Sequence, residues 1–192
     1  MIVLAFTGLR LSELAGLLWS DVDLVEGVIH VRKQLAPLKR GVEPERVKPK
    51  SRASARDVPL VDRAFEALVE QLRRKQARGF GADGDYVFTS VTGRPLGAHR
   101  ISKRGVTRSA KKAGLGHVTP QVLRRSVATA TAHAKLPVVV AAAMTGHSPA
   151  VYDAHYAKPF RDEEERAKVR NSLASIGFGI GHVDQPLTSD GP

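Results

Sequence analysis

Residues 22–60 are the one part of the chain with the pattern of β-strands, and helical patterns flank this part on both sides. Within it, 22-VDLVEGVIHVRK-33 contains two β-rich runs around Glu26-Gly27, which predicts a hairpin. A basic segment rich in proline and glycine follows and is interpreted as a loop. It ends in 55-ARDVPL-60, a predicted short strand. We therefore expect a small antiparallel sheet of three strands in an α+β domain.

The rest of the chain is predicted to be mainly helical. Thr7-Gly8 breaks the first helix, and Ser12 and Asp62 are the predicted N-caps of the second and third. Thr119 precedes a proline at the first helical position, which is a favourable helix start. The predicted helices cover residues 1–6, 13–19, 63–78, 98–113, 120–134, 137–145 and 161–175.

The charge of the chain points to a polyanionic partner. Thirty Lys and Arg against nineteen Asp and Glu give a net charge of +11, which favours nucleic acid. An anionic membrane surface is the competing interpretation, but the sequence has no long apolar span and no basic amphipathic helix with aromatic anchors. The absence of cysteine excludes disulfides and cysteine-ligated metal sites, and it fits a reducing compartment.

The first ten residues, MIVLAFTGLR, are apolar but do not have the pattern of a signal peptide. They contain neither a basic region before the apolar run nor a cleavage site of small residues. They resemble the second half of a buried helix. We therefore expect that the chain begins inside a domain.

Two arginines are placed where an anion would be needed. Arg10 follows Gly8 at the start of a predicted helix, and Arg124 lies among apolar residues of 119-TPQVLRRSVAT-129. A partly buried arginine requires an anion or a carboxylate. Two such arginines in a basic chain favour a phosphate, because a guanidinium can bind a phosphate through two hydrogen bonds. The alternative is a structural ion pair, for example between Arg10 and Glu13.

Two lysines lie on or beside a predicted hairpin, in 46-RVKPKSRASARDVPL-60. The flexible side chains of Lys48 and Lys50 could reach a DNA groove or protonate a leaving oxygen. The alternative is a solvated basic loop that touches backbone phosphates, and composition alone favours this alternative.

The stretch 143-AMTGHSPAVYDAHYAKPF-160 places Tyr152 and Tyr156 after a Gly-His pair, in a chain with only three tyrosines. One interpretation is two short helices in which the tyrosines pack. The other is that one tyrosine is a nucleophile and His147 its neighbour. A tyrosine alone is a poor nucleophile, since its ordinary pKa is about 10. Beside arginines that neutralise a phosphodiester it can form a covalent phosphotyrosine, without metal or ATP.

Four segments together resemble the catalytic domain of tyrosine recombinases of the phage integrase family. They are 7-TGLRLSEL-14, 49-PKSRASARDVPL-60, 119-TPQVLRRSVAT-129 and 145-TGHSPAVYDAHY-156. They occur in the order of the family over roughly residues 1 to 160, and His147 and Tyr156 are separated by 156 − 147 = 9 residues, as in the family. Each segment is weak by itself, but the four together are a strong signal. The resemblance implies a mostly α-helical α+β domain with the three-stranded sheet at one edge.

The resemblance implies a role for each matched residue. Arg10 and Arg124 match the two phosphate-binding arginines. His147 matches the histidine that hydrogen-bonds the scissile phosphate, and Tyr156 matches the nucleophile. Lys50 matches the hairpin lysine that protonates the leaving 5′ oxygen.

Four neighbouring residues receive lesser roles from the same resemblance. Glu13 matches an acidic residue that supports the site and does not react. Arg125 is an adjacent basic residue, Tyr152 is a packing residue, and Lys48 is a weaker candidate than the lysine two residues later.

Gln121 departs from the family pattern, which usually has a histidine three residues before the second arginine (124 − 121 = 3). Glutamine can hydrogen-bond a phosphate but cannot exchange a proton near neutral pH. The loss of an acid–base group slows a reaction by a factor of ~10²–10⁴. Lys50 and His147 are expected to cover part of this role, and His117 is a less favoured substitute. Weak activity or a degenerate copy of the enzyme is therefore one expectation.

The resemblance also implies a domain organisation and partners. It divides the chain into a catalytic domain over 1–172, truncated at its N-terminal edge, and a flexible tail over 173–192. Family members usually carry a further N-terminal helical domain that clamps DNA, so we expect that the chain was cut, is a remnant, or has a misassigned start. The implied partners are double-stranded DNA and, in the active state, a homotetramer on paired sites. Residues 161–180 would then dock onto a neighbour or pack in cis.

The implied activity is site-specific recombination, in which DNA is cut and rejoined through a 3′-phosphotyrosine. It requires no cofactor, metal or membrane, and it implies a bacterial or phage-derived protein at the nucleoid in the cytoplasm. Two alternatives keep the fold: a non-catalytic DNA-binding remnant, and a DNA-relaxing enzyme like a type IB topoisomerase. A basic helical RNA-binding domain is disfavoured, because aromatic residues are few and no RNA-recognition motif is found.

Overall fold

The computed structural model describes residues 1–49, 54–156 and 171. Its helices are α1 (Ile2–Thr7), α2 (Leu11–Ala15), α3 (Asp62–Gln76), α4 (Ala98–Arg100), α5 (Arg108–Lys112), α6 (Pro120–His133), α7 (Val138–Thr145) and α8 (Pro149–Tyr156). A π-helical stretch, Ile101–Thr107, connects α4 to α5, and a 3₁₀ turn covers Trp19–Asp21. The strands are β1 (Val22–Asp23), β2 (Val28–Val31), β3 (Gln34–Leu35), β4 (Arg46–Val47) and β5 (Arg56–Pro59).

All of these elements belong to a unit that spans Met1–Lys158, and a second unit spans Pro159–Pro192. The predicted helix over 161–175 and the predicted tail over 173–192 lie outside the described residues, except that residue 171 is helical. The predicted domain boundary at residue 172 therefore stays a prediction. In the described part of the chain, none of the helices has the length and apolarity needed to cross a bilayer.

The predicted three-stranded sheet is confirmed. It is antiparallel with the order β1-β2-β5, and Ile29 in its central strand pairs with Val22 on one side and Val58 on the other. Ile29 and Val58 are both buried, and as paired residues of neighbouring strands they lie on the same face of the sheet. This face is therefore the one that packs against the core. The fold class predicted from the sequence is therefore the observed one.

The segment between β2 and β5 was predicted to be a loop, and this prediction is wrong in part. Strands β3 and β4 pair there as a second, two-stranded sheet, in which Gln34 lies opposite Val47. Each strand has only two residues, so neither shows the alternation of polar and apolar residues that marks a strand in a sequence.

The helical core is built around α1, which packs against α3 and α6. Its residue Leu4 is buried, as are Leu68 of α3 and Val127 of α6. Helix α1 ends at Gly8, which has a φ of 62°. A Cβ atom at Gly8 would lie 3.3 Å from side-chain atoms of Val127, so both the backbone conformation and the close packing favour glycine.

The predicted caps of two helices are corrected by the structure. Ser12 lies inside α2, and the N-cap is Arg10, whose backbone N–H donates to the Glu13 carboxylate at 2.7 Å. Helix α2 ends at Ala15 and does not continue to residue 19, since the backbone of residues 17–19 bonds instead to residues 85–87. Asp62 is the first residue of α3, and the cap position is occupied by the residue before it.

The helices near the C-terminal end of the unit agree with their predicted ranges. The predicted range 98–113 corresponds to α4, the π-helical stretch and α5, and the ranges 120–134 and 137–145 correspond to α6 and α7. The hydroxyl of Thr119 accepts a hydrogen bond from the backbone N–H of Val122, as expected for an N-cap. Of the predicted site residues, Gln121 and Arg124 lie on α6, and His147 follows the end of α7.

Candidate active site

Four of the six predicted site residues, Arg10, Arg124, His147 and Tyr156, lie around the C-terminal end of α7. There, the carbonyl groups of three successive residues accept hydrogen bonds from three arginines that come from different parts of the chain. The pairs are Arg56 Nε to Met144 O at 3.0 Å, Arg124 Nη2 to Thr145 O, and Arg10 Nη2 to Gly146 O at 2.7 Å. Because the carbonyl end of a helix carries a partial negative charge, it is a favourable place for cations.

Glu13 is the anion at the centre of this arginine cluster. Its carboxylate accepts two hydrogen bonds from Arg56, both at 3.0 Å, and one from Arg10 Nη1 at 2.8 Å. Burial by itself raises the pKa of Glu13, but the hydrogen bonds and charge of Arg56, with a smaller contribution from Arg10, outweigh burial and hold the pKa below its usual value. Glu13 is therefore ionised at neutral pH.

Arg10 takes part in this network without being enclosed by it. The ion pair with Glu13 that the sequence analysis considered is present, and Nη1 also donates to Ser54 Oγ at 3.0 Å. The Arg10 side chain nevertheless remains 35% exposed, whereas that of Arg56 is 4% exposed. Arg10 can therefore reach a ligand from outside, and Arg56 cannot.

Arg124 is buried where α6 packs against α1. Its guanidinium donates to the carbonyl of Gly8 at the end of α1, in addition to the α7 carbonyl. Burial, together with the nearby charge of Arg10, lowers the pKa of Arg124 to about 10. The guanidinium is therefore still charged at neutral pH.

His147 lies between Arg124 and the end of α7. Its Nε2 is 3.3 Å from Arg124 Nη2, and its Nδ1 is 3.0 Å from the hydroxyl oxygen of Thr145. Burial and the positive charges of Arg124 and Arg10 lower the pKa of His147 to about 4. His147 is therefore neutral at pH 7 in the protein without a ligand.

The two tyrosines of α8 have different surroundings. Tyr152 is 1% exposed, and its hydroxyl lies 2.7 Å from both the Ala128 carbonyl and the Thr131 hydroxyl of α6. It is a packing residue, as predicted. Tyr156 follows one turn later, and its ring centroid lies 5.5 Å from that of His147 and 5.3 Å from that of Tyr152. Tyr152 thus anchors α8 so that Tyr156 lies beside His147.

Taken together, the charges of this cluster suit an anionic ligand. Three guanidinium groups and one carboxylate give 3 − 1 = +2, since His147 is neutral. A phosphodiester carries one negative charge, and this charge increases as a nucleophile adds to phosphorus. An excess of positive charge that is already in place stabilises such a transition state without further rearrangement.

Gly146 allows the arginines to approach the end of α7. It has a φ of 62°, and a Cβ atom there would lie 2.8 Å from Arg56 Nη1 and 3.2 Å from Arg10 Nη1. Any side chain would therefore displace the two guanidinium groups, which explains the Gly-His pair in the sequence.

The structure does not bring every predicted residue into the cluster. Lys50 lies outside the described residues. Lys48 lines a groove of about 870 Å³ that also contains Arg10 and Ser54. Gln121 is exposed on the first turn of α6, and within the described ranges no hydrogen bond or ion pair joins it to the cluster. His117 is exposed in the connection that precedes α6.

Arg56 is the site residue that the sequence analysis missed. It donates to Glu13 and to the end of α7, although 43 residues separate it from Glu13 along the chain. One signal was available: in 55-ARDVPL-60, strand alternation places Arg56 on the same face as the apolar Val58. An arginine on the inward face of a strand requires a buried anion.

The described residues provide no evident metal site. Among them, no group of three or more His, Asp or Glu side chains is arranged to hold a metal ion. The ionised groups that converge at the end of α7 are instead mainly cationic.

The sequence profile of the phage integrase family matches residues 1–162. The chain belongs to the phage integrase family. This integrase-family chain is 32% identical over 146 residues to the tyrosine recombinase XerC of Neisseria meningitidis serogroup B. The aligned region covers 74% of the chain and 40% of the relative. It is 29% identical over 157 residues to the transposase of transposon Tn916 from Enterococcus faecalis. This aligned region covers 77% of the chain and 38% of the relative.

Solved structures show the same fold. The integrase of transposon Tn1549, solved in complex with transposon right end DNA, has a TM-score of 0.68 and 26% identity to this chain, covering 89% of it and 57% of the neighbour. XerA recombinase has a TM-score of 0.66 and 28% identity, covering 89% of this chain and 56% of the neighbour. The integrase-family chain thus spans between about two fifths and a little over half of the lengths of these proteins.

Proposed function

We propose that this chain binds double-stranded DNA and carries out site-specific recombination, by cutting and rejoining DNA through a covalent 3′-phosphotyrosine at Tyr156. The observation that carries this proposal is the position of the Tyr156 ring, 5.5 Å from the ring of His147 and next to a cluster of arginines with net positive charge. A phosphodiester held by this cluster would lie within reach of a tyrosine hydroxyl.

The proposed reaction follows from the groups at the end of α7. Arg10 and Arg124 bind the nonbridging oxygens of the scissile phosphate, and His147 adds a further hydrogen bond. The Tyr156 oxygen attacks phosphorus and gives its proton to water, while the bond from phosphorus to the 5′ oxygen breaks. Lys50, placed by its match to the family motif, supplies the proton to the leaving 5′ oxygen. Attack by a 5′ hydroxyl reverses these steps and rejoins the strand.

Two further features support DNA as the partner. The net charge of +11 favours a polyanion, and the Tn1549 integrase with which the chain shares its fold was solved on DNA. A homotetramer on paired sites, with residues 161–180 docked onto a neighbour, is part of the same proposal and rests on the family resemblance.

Covalent trapping tests the proposal. The protein is mixed with nicked DNA duplexes tiled from the region that flanks its own gene, and products are separated in SDS. We expect an SDS-resistant adduct with the wild type. The adduct should be absent with Tyr156→Phe, although that variant should still bind DNA.

Two matched variants control for the loss of a hydroxyl. Tyr152→Phe and Tyr86→Phe remove the other two tyrosine hydroxyls, and both variants should still form the adduct. An adduct that persists with Tyr156→Phe would overturn the assignment of the nucleophile. DNA binding without any adduct, including with a chain extended upstream, would instead support a non-catalytic DNA-binding protein.

A further inference from the structure

The hydroxyl of Thr145 has neighbours that restrict where its proton can lie. The Thr145 oxygen is 2.9 Å from the Ala141 carbonyl oxygen, 3.3 Å from the Ala142 carbonyl oxygen and 3.0 Å from His147 Nδ1. Carbonyl oxygens can only accept, and a hydroxyl has one proton to donate. Because Thr145 is fully buried, its proton must point to one of these atoms; when it points to the closest, the Ala141 carbonyl oxygen, the hydroxyl oxygen accepts from His147 Nδ1.

The other ring nitrogen of His147 leads independently to the same tautomer. Nε2 faces Arg124 Nη2 at 3.3 Å, and a guanidinium is only a donor. A proton on Nε2 would place two donors against each other. Both contacts therefore agree: Nδ1 carries the proton, and the lone pair of Nε2 points toward Arg124.

This tautomer has a consequence for phosphate binding. A histidine can hydrogen-bond a phosphate oxygen only as a donor. If the phosphate binds between Arg124 and His147, the nitrogen that faces it is Nε2, which has no proton in the neutral form.

We propose that Thr145 is a positioning residue that holds His147 in the Nδ1–H tautomer, so that His147 becomes a donor to the bound phosphate only by taking up a second proton from water. The first half of this inference, the Nδ1–H tautomer, concerns the protein alone. The second half, the uptake of a proton with the phosphate, rests on the proposed function. In the second half, hydronium gives its proton to Nε2, the ring becomes an imidazolium that donates from both nitrogens, and the phosphate balances the added charge.

The groups around His147 explain why the proton enters only with the phosphate. The charged and titratable groups around it are Arg124 from α6, Arg10 at the N-cap of α2, Arg56 from β5, and His155 and Tyr156 from α8. Glu13 of α2 pairs with Arg10 and Arg56. Most of the charges among these are positive, and together with burial they keep the pKa of His147 at about 4 in the free protein. A phosphate anion beside Nε2 opposes these charges and raises that pKa.

The uptake of a proton also bears on Gln121. Glutamine cannot exchange a proton, so a site with Gln121 in place of a histidine has one acid–base group fewer. An imidazolium at His147 would return one exchangeable proton to the same phosphate.

The tautomer is measured directly by ¹⁵N NMR of the imidazole nitrogens in the free protein between pH 6 and 8. His147 is identified among the seven histidines as the signals lost in His147→Gln. We expect a protonated Nδ1 and an unprotonated Nε2 in the wild type. A wild type with the proton on Nε2 would overturn the first half, whether or not the protein cleaves DNA.

Two variants of Thr145 separate the role of its hydroxyl from a packing role. Thr145→Val keeps the shape and removes the acceptor, and the loss of one buried hydrogen bond should shift the tautomer ratio toward Nε2–H by about five-fold or more. Thr145→Ser keeps the acceptor and should retain the wild-type tautomer. Equal spectra for Thr145→Val and the wild type would show that Thr145 does not position the ring.

The proton uptake is measured on the Tyr156→Phe protein bound to the tiled nicked duplexes at pH 7, where no cleavage occurs. We expect both nitrogens of His147 to be protonated in this complex, and a neutral ring there would overturn the second half. In the wild type, adduct formation should slow as pH rises through the pKa of bound His147, and Thr145→Val should make this pH dependence shallower. If no duplex binds, the proposed function and the second half fail together, while the tautomer of the free protein stands on its own spectrum.

Discussion

Replacing Arg56 with methionine removes one partner of the buried ion pair between Arg56 and Glu13. The two side chains are 4% and 1% exposed, and Arg56 donates four hydrogen bonds: two to Glu13, one to Ser54 O and one to Met144 O. Breaking a buried pair from one side destabilises a protein by about 3–5 kcal/mol. Glu13 keeps its two hydrogen bonds from Arg10, so we expect a loss near the lower end, about 3 kcal/mol.

The size of this loss should depend on pH. In the wild type, the pKa of Glu13 lies below its unfolded value, so the ion pair stabilises the protein above a pH of about 4.3 and this stabilisation is lost as pH falls through the lower folded pKa. Without Arg56, burial is the main effect and raises the pKa of Glu13. Protonation of that carboxylate then removes the buried unpaired charge, so the variant is less destabilised at low pH. The difference in stability between the two proteins should therefore begin to narrow as the pH falls through the raised pKa of Glu13 in the variant, and should continue to narrow down to its lowered pKa in the wild type.

Urea unfolding measures the free energy of unfolding that is lost in Arg56→Met. The chain has a single tryptophan, Trp19, which is buried and reports unfolding through its fluorescence. Arg74→Met is the matched control, because its ion pair with Glu70 is exposed and should contribute less than about 1 kcal/mol. The double variant Arg56→Met/Glu13→Leu, which leaves no unpaired charge, should recover part of the stability. A loss below about 1 kcal/mol at pH 7, or one that does not narrow in acid, would refute this reasoning.

The remaining predictions concern positions 121 and 146. Gln121→His restores an acid–base group and should raise the rate of adduct formation on the nicked duplex, by up to ~10²-fold if proton transfer limits the rate; an unchanged rate would mean that other residues already supply the proton. Gly146→Ala should lower stability in urea by more than Gly27→Ala, because both glycines have φ near 60–65° but only the first has side-chain atoms within 4 Å of a Cβ. The left-handed backbone alone contributes about 1–2 kcal/mol in both variants, so equal losses would argue against crowding of the arginines at Gly146.

Local sequence patterns predicted much of the fold. Helical spacing of apolar residues gave α3, and the proline after Thr119 gave the start of α6, because these signals depend on neighbours along the chain. The pairing of β3 with β4 was not predictable, since it joins Gln34 to Val47 and neither strand has more than two residues. The end of α2 at Ala15 was missed for the same reason, because the following residues bond to a segment 70 residues away (87 − 17 = 70).

The residues of the candidate site were predictable only in part. Arg10, Arg124, His147 and Tyr156 were identified from short motifs, and the structure places their side chains around the end of α7. Strand alternation could have placed Arg56 on the inward face, but its partners, Glu13 and the end of α7, are distant along the chain and no local pattern identifies them. The contact between Thr145 and His147 joins residues two positions apart, but it requires the turn at the end of α7 to bring them together.

The three arginines at the end of α7 also bear on the stage of folding at which the proposed anion site is complete. They come from positions 10, 56 and 124, and each binds a different carbonyl of residues 144–146. A chain still emerging from the ribosome, or one that has opened locally, lacks at least one of these cations and cannot hold a phosphate for attack. If the proposed function holds, strand cleavage should therefore be confined to molecules in which all three arginines have reached the end of α7.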